Sequence, residues 1–153
     1  MKKKDRYGPD ADRALRLWVK LARAFQTMDR VSARDIQRFG VTQPQFAVVE
    51  CLGHLGPLTI GELSKKMLVS GGSMTVVIDN LERRGFVVRG HSVKDRRSVV
   101  VRLTVKGAVF FDQVFPSHAE CIREAASVLS KDEQLRLETL LKKLGHSLQK
   151  KYP

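Results

Sequence analysis

The densest chemistry in this sequence is cationic. From Arg83 to Lys106 there are eight basic residues and one acid, Asp95, a net of +7. Cations at that density suit phosphate, and the whole chain agrees, with 28 Lys and Arg against 16 Asp and Glu and a net charge of +12. Just upstream, Ser70-Gly71-Gly72-Ser73 opens a polar stretch that continues through Thr75, Val76, Asp79, Asn80 and Arg83 at helical spacing. Small residues let a helix backbone approach a groove closely, and the free N–H groups of a helix start attract a phosphate. This spacing places Ser73, Val76 and Asn80 nearest base edges, Val76 against a thymine methyl, and Arg83 and Arg84 at phosphates. Downstream, Lys94, Asp95, Arg96 and Arg97 gather three cations and one carboxylate in a polar loop suited to a minor groove. Asp95 can hold the Arg97 guanidinium in one orientation by a charge-assisted bond.

Other chemistries are poorly represented. Cys51 and Cys121 have neither zinc-type spacing nor a disulfide pattern, which points to a reducing, cytoplasmic setting. Buried thiols usually act as small hydrophobes. A redox role is still open for both, because His118 lies three residues before Cys121 and a protonated imidazole lowers a thiol pKa. His118 and Cys121 are too few ligands for zinc, so no metal is expected. No Ser-His-Asp order, P-loop, H-E-x-x-H or paired carboxylate is evident, so neither catalytic residues nor a cofactor is expected. No apolar run approaches the roughly 18 residues of a bilayer span, and the basic start leads into charged residues rather than an apolar signal.

The elements that must position the cationic cluster can be read from periodicity. Apolar residues from Ala14 to Met28 recur at helical spacing within a long amphipathic helix from about Asp10 to Arg38, ended by Gly40. Thr42 with Gln45, Thr59 with Glu62, and Ser130 with Glu133 each form a capping box that opens a helix. A fourth short-loop helix starts at Ser70 with Met74, Val77, Ile78 and Leu81 inward. After Gly85 the period falls to 2, and Phe86 to Arg89 with Ser98 to Leu103 predict a hairpin carrying the basic loop at its tip. Helical patterning follows from Thr104, with Pro116 expected to kink it or mark an irregular turn. The result is a mainly α fold with a small β-hairpin wing, a winged helix-turn-helix flanked by N- and C-terminal helices.

These residues resemble the MarR family, the multiple-antibiotic-resistance regulators. The likeness rests on Leu63 to Met67, on Ser70 to Gly85 with its ending Asn80-Leu81-Glu82-Arg83-Arg84-Gly85-Phe86-Val87, on Asp95-Arg96-Arg97-Ser98, and on Leu103-Thr104-Val105-Lys106-Gly107. It implies one domain over 1–153, with dimerisation helices at 10–39 and 108–150 around a winged DNA-binding lobe at 42–106. It also implies a homodimer, a near-palindromic double-stranded DNA operator, and Asp95 with Arg97 at the minor groove. The segments Leu17 to Ala24 and Phe115 to His118 look most like the branch that represses quinone and catechol detoxification genes. The resemblance further implies a small aromatic or phenolic effector, whose pocket would draw on Trp18, Phe46, Phe110 and Phe111.

The residues themselves support a dimer. A chain of this size has difficulty burying Leu15, Trp18, Leu21, Phe25, Leu137, Leu141, Leu144 and Leu148 alone, and surplus apolar faces usually mean a partner. The expected function is a sequence-specific transcriptional regulator, a repressor released by an aromatic ligand or an oxidant. The alternative is a protein-interaction or RNA-binding module that keeps the winged fold, since fold alone does not fix function.

Overall fold

The computed structural model describes residues 6–67, 71–91 and 99–152. Helices α1 (Pro9–Gln37), α2 (Gln43–Leu55), α3 (Ile60–Met67) and α4 (Gly71–Arg83) precede strands β2 (Val87–His91) and β3 (Val99–Leu103), and α5 (Val105–Ala126) and α6 (Lys131–Lys151) follow. A two-residue strand, β1 (Leu58–Thr59), lies between α2 and α3. The chain divides into two compact units, Met1–His118 and Ala119–Pro153. Among the described residues no helix is long and apolar enough to cross a membrane.

All three capping boxes form. Thr42 Oγ1 accepts from the Gln45 N–H while the Gln45 side chain accepts from the Thr42 N–H, and Ser130 and Glu133 repeat the arrangement. At Thr59 the Glu62 carboxylate accepts from both the N–H and the hydroxyl, at 2.7 and 2.8 Å. Helix α4 stops because Gly85 takes φ +74°, which lets the Phe86 N–H reach back to the Leu81 carbonyl at 2.9 Å.

The core of the first unit is the lobe itself. Val48, Val49, Leu63, Met74, Ile78, Leu81, Val87 and Val101 are fully buried, each contributing on the order of 1.5–3 kcal/mol by leaving water. The strands form an antiparallel sheet of order β1-β3-β2, with Leu58 opposite Val101 and Arg89 opposite Val101 on its other side. Strand β1 has no sequence signal, because two residues carry no period. The hairpin strands begin one residue later than expected, β2 ends two residues later, and β3 ends at Leu103 as expected.

Two further observations explain the motif around Thr104. Its hydroxyl donates to the Gly85 carbonyl at 2.6 Å and accepts from the Gly107 N–H at 3.0 Å, so one side chain joins the end of α4 to the start of α5. A Cβ at position 107 would fall 2.0 Å from the Phe86 carbonyl oxygen, so only glycine fits that approach.

Pro116 lies inside α5, so the irregular turn expected as one alternative does not form there. The helix runs from Val105 to Ala126 through it, losing one backbone hydrogen bond. Phe111, Val114 and Phe115 pack against the lobe core immediately before the proline, and His118 is buried just after it. That packing holds both sides in one helix. In the second unit, Gln134 Nε2 donates to the carbonyls of Ala126 and Leu129, which secures the turn into α6.

Candidate nucleic-acid interface

Helix α4 has two faces with opposite fates. Met74, Ile78 and Leu81 have no exposure and Val77 packs against the same core, whereas Gly71, Gly72, Ser73, Thr75, Val76 and Arg83 are exposed. The 3.6-residue period alone produces this division. Val76 is an exposed apolar side chain at 59 % in the middle of the outward face, where no core neighbour explains it.

The polar side chains on that face are held within the helix. Thr75 Oγ1 donates to the Gly71 carbonyl at 3.0 Å, and Asn80 Nδ2 donates to the Val76 carbonyl at 3.0 Å. Asn80 Oδ1 accepts from Arg83 Nη2. Asn80 keeps one amide N–H and one carbonyl lone pair beyond these two bonds. Ser70, Lys94, Asp95, Arg96 and Arg97 lie outside the described residues.

Arg84 is engaged internally. Its Nη1 donates to the Gly40 carbonyl at 2.9 Å, and its guanidinium lies 4.9 Å from the Phe86 ring centre. Lys106 covers the same ring at 5.0 Å and donates to the Arg84 carbonyl. A guanidinium has five N–H donors, so Arg84 keeps others for a phosphate, but part of its role is to tie the end of α4 to the loop after α1.

Arg89 was not singled out by sequence reasoning. Its Nη2 meets Asp79 Oδ1 at 2.5 Å, its Nη1 meets Glu82 Oε2, and its backbone N–H donates to Glu82 Oε1 at 3.0 Å. Burial works against its charge, but the hydrogen bonds and charges of Asp79 and Glu82 outweigh that and raise its pKa above the ordinary guanidinium value. The spacing of Asp79 and Glu82, one helical turn apart, was the available signal.

A second unforeseen pair is buried. His118 Nδ1 lies 2.8 Å from Asp35 Oδ2, both residues nearly inaccessible, with the Phe46 ring edge-on to the imidazole. His118 thus holds the C-terminal end of α1 to α5. Burial, followed by nearby Glu50, pushes the Cys51 thiol pKa up against a smaller opposing effect of Lys66, which reduces its thiolate fraction. Cys121 is half-buried.

Of the four aromatics expected to line a pocket, Phe46 belongs to the lobe core with Phe110 and Phe111 packed against that same cluster, while Trp18 stands apart on α1. Trp18 is 63 % exposed in an open apolar groove with Tyr7, Ala11, Ala14 and Leu15. Phe46 is in the core, Phe110 packs on Phe86, and Phe111 packs with His54 and Phe115. Leu15, Phe25, Leu137, Leu141, Leu144 and Leu148 are all exposed, and Leu21 is half-buried.

Comparison with known proteins decides the family. The MarR family model matches residues 41–99. An uncharacterised HTH-type transcriptional regulator of Bacillus subtilis, YkoM, is 43 % identical over 89 % of this chain and 88 % of its own length. The chain belongs to the MarR family. The HTH-type transcriptional regulator MhqR of the same bacterium is 34 % identical over 88 % of this chain and 92 % of its own. A mutant MarR from E. coli, solved in complex with operator DNA, superposes with a TM-score of 0.77 at 29 % identity over 87 % of this chain and 96 % of that one. This MarR-family chain is accordingly a DNA-binding transcriptional regulator with a winged-helix fold.

Proposed function

We propose that the chain acts as a homodimeric repressor that reads a near-palindromic operator with α4 in the major groove and the basic residues Lys94, Arg96 and Arg97 in the minor groove. The observation that carries this reading is α4 itself, whose inner face closes the core while Ser73, Thr75, Val76 and Arg83 stay exposed. Gly71, Gly72 and Ser70 would let its start approach a phosphate, Asn80 would read a base edge, and Arg84 with Lys94, Arg96 and Arg97 would engage phosphates or the minor groove. The domain plan follows, with 42–106 as the DNA lobe and 10–39 and 108–150 as dimerisation helices in the cytoplasm.

The dimer is supported by apolar side chains that one chain leaves in water. In α6 no residue is buried, and in α1 Leu15, Trp18 and Phe25 are exposed. A second copy supplies the missing cover. Release from DNA is assigned to a small aromatic or phenolic ligand, or an oxidant acting at Cys51 or Cys121, following the resemblance to the quinone- and catechol-responsive branch.

Fluorescence anisotropy tests the reading, with the chain's own upstream DNA and a scrambled duplex at about 150 mM salt, because phosphate contacts alone mimic specificity when salt is low. A preference on the order of 10³ for the native duplex is expected. Equal binding to both would overturn an operator in that region. Adding catechols, quinones and thiol oxidants to the same assay separates effector classes, and an unchanged response in Cys51→Ser with Cys121→Ser would exclude the thiols.

A further inference from the structure

The helix assigned to the major groove carries an excess of acid. Across Gly71–Arg83 there are two carboxylates, Asp79 and Glu82, and one cation, Arg83. Duplex DNA presents one negative charge per roughly 1.7 Å of axis. The Asp79 side chain is 50 % exposed and that of Glu82 36 %. Bare, these groups would repel the phosphates that Arg83 and the basic loop attract.

Arg89 closes on both. Its two terminal nitrogens are divided between Asp79 and Glu82, and its own side chain, 25 % exposed, is less accessible than either carboxylate. The Arg89 N–H to Glu82 bond fixes β2 to α4 at the same place. Arg89 stands opposite fully buried Val101, so its backbone is anchored in the sheet.

We infer that Arg89 is the internal counter-ion of the recognition helix, neutralising Asp79 and Glu82 from the base of the hairpin so that α4 can approach phosphates. This rests on the reading of α4 as the DNA-facing helix. Arg89 is a positioning residue, acting through the two carboxylates rather than by touching DNA. Two like charges one turn apart on a helix also disfavour each other, and one guanidinium shared between them relieves that repulsion.

The test uses the full chain and anisotropy on the native and scrambled duplexes from about 50 to 300 mM salt. Arg89→Gln is expected to weaken binding to both duplexes at least roughly tenfold. Adding Asp79→Asn and Glu82→Gln to that variant should restore most of the loss, because the repulsion has gone. The same pair with Arg89 retained should tighten binding to both and steepen the salt dependence by about one phosphate contact, since the guanidinium is released.

An affinity unchanged in Arg89→Gln overturns the inference, as does a triple variant no tighter than Arg89→Gln alone, which would make Arg89 a scaffold or a direct DNA contact. If circular dichroism shows that Arg89→Gln does not fold, the Asp79→Asn/Glu82→Gln pair decides, and weaker or unchanged binding overturns the idea. Val76→Ala separates this inference from its premise. Should Val76→Ala abolish the preference for the native duplex while the Arg89 series stays flat, only the counter-ion role falls. A preference intact in Val76→Ala removes α4 as the reading helix, and the counter-ion role with it.

Discussion

The lobe and the long helices obey the same amphipathic pattern and end differently. In the lobe, Leu63, Met74, Ile78 and Leu81 are sealed by their own chain. In α1, Trp18 is 63 % exposed and Phe25 68 %, and in α6 Leu140 is 63 % exposed. Periodicity says which face is apolar, but not whose atoms will cover it. The lobe has helices and a sheet converging from several directions, which gives its inward face enough partners. The long helices leave apolar side chains exposed in a single chain, the faces proposed above for a second copy.

This contrast can be broken most forcefully in the lobe. Leu81→Ala should destabilise the chain by about 2–5 kcal/mol, since a fully buried side chain leaves a cavity that close-packed neighbours fill only partly. Denaturant unfolding at fixed protein concentration checks it, and a loss below about 1 kcal/mol would mean the core is looser than its burial implies.

Leu141→Glu should leave the lobe folded and dissociate the dimer. Sedimentation velocity should show a monomer, with operator affinity lower by on the order of 10², because the second half-site no longer binds intramolecularly. A stable dimer would place the interface elsewhere.

Asp35→Ala probes the border between the two regimes. Asp35 and Ile36 are both 4 % exposed, although nearer its start the same helix leaves Trp18 63 % exposed. The substitution removes the acceptor of His118 and of Arg38. It should cost about 1–3 kcal/mol, as for a buried polar group left unpaired, with dimerisation unchanged. Thermal melts combined with sedimentation would reveal a different outcome.

The smallest effect belongs to the caps. Hydrogen bonds from the Ser130 N–H and then its hydroxyl hold the Glu133 pKa below the ordinary carboxylate value. A depressed folded pKa contributes stability above the unfolded value and loses it as pH falls through the folded one. Acidification below about pH 4.5 should therefore fray the start of α6, and Glu133→Gln should remove that part of the pH dependence. Helicity followed by circular dichroism from pH 7 to pH 3 tests it.

Much of the site was legible because it is local. The α4 faces follow from a 3.6-residue period, and each capping box joins residues three apart. Arg89 was less legible. Its charge was counted with the cationic cluster, yet its guanidinium is directed to carboxylates seven and ten residues away on another element. Arg84 reaches a carbonyl 44 residues away, and no periodicity reports such a pair.

The sequence by itself determined the helices, their caps, the hairpin and the sign of the charge, because these depend on neighbours within one or two turns. Only the tertiary structure decided that β1 joins the sheet, that α5 continues through Pro116, and which cations are already engaged. It also decided that His118 meets Asp35 across 83 residues. Those outcomes depend on packing, where the atoms that satisfy a polar group or cover an apolar one come from distant parts of the chain.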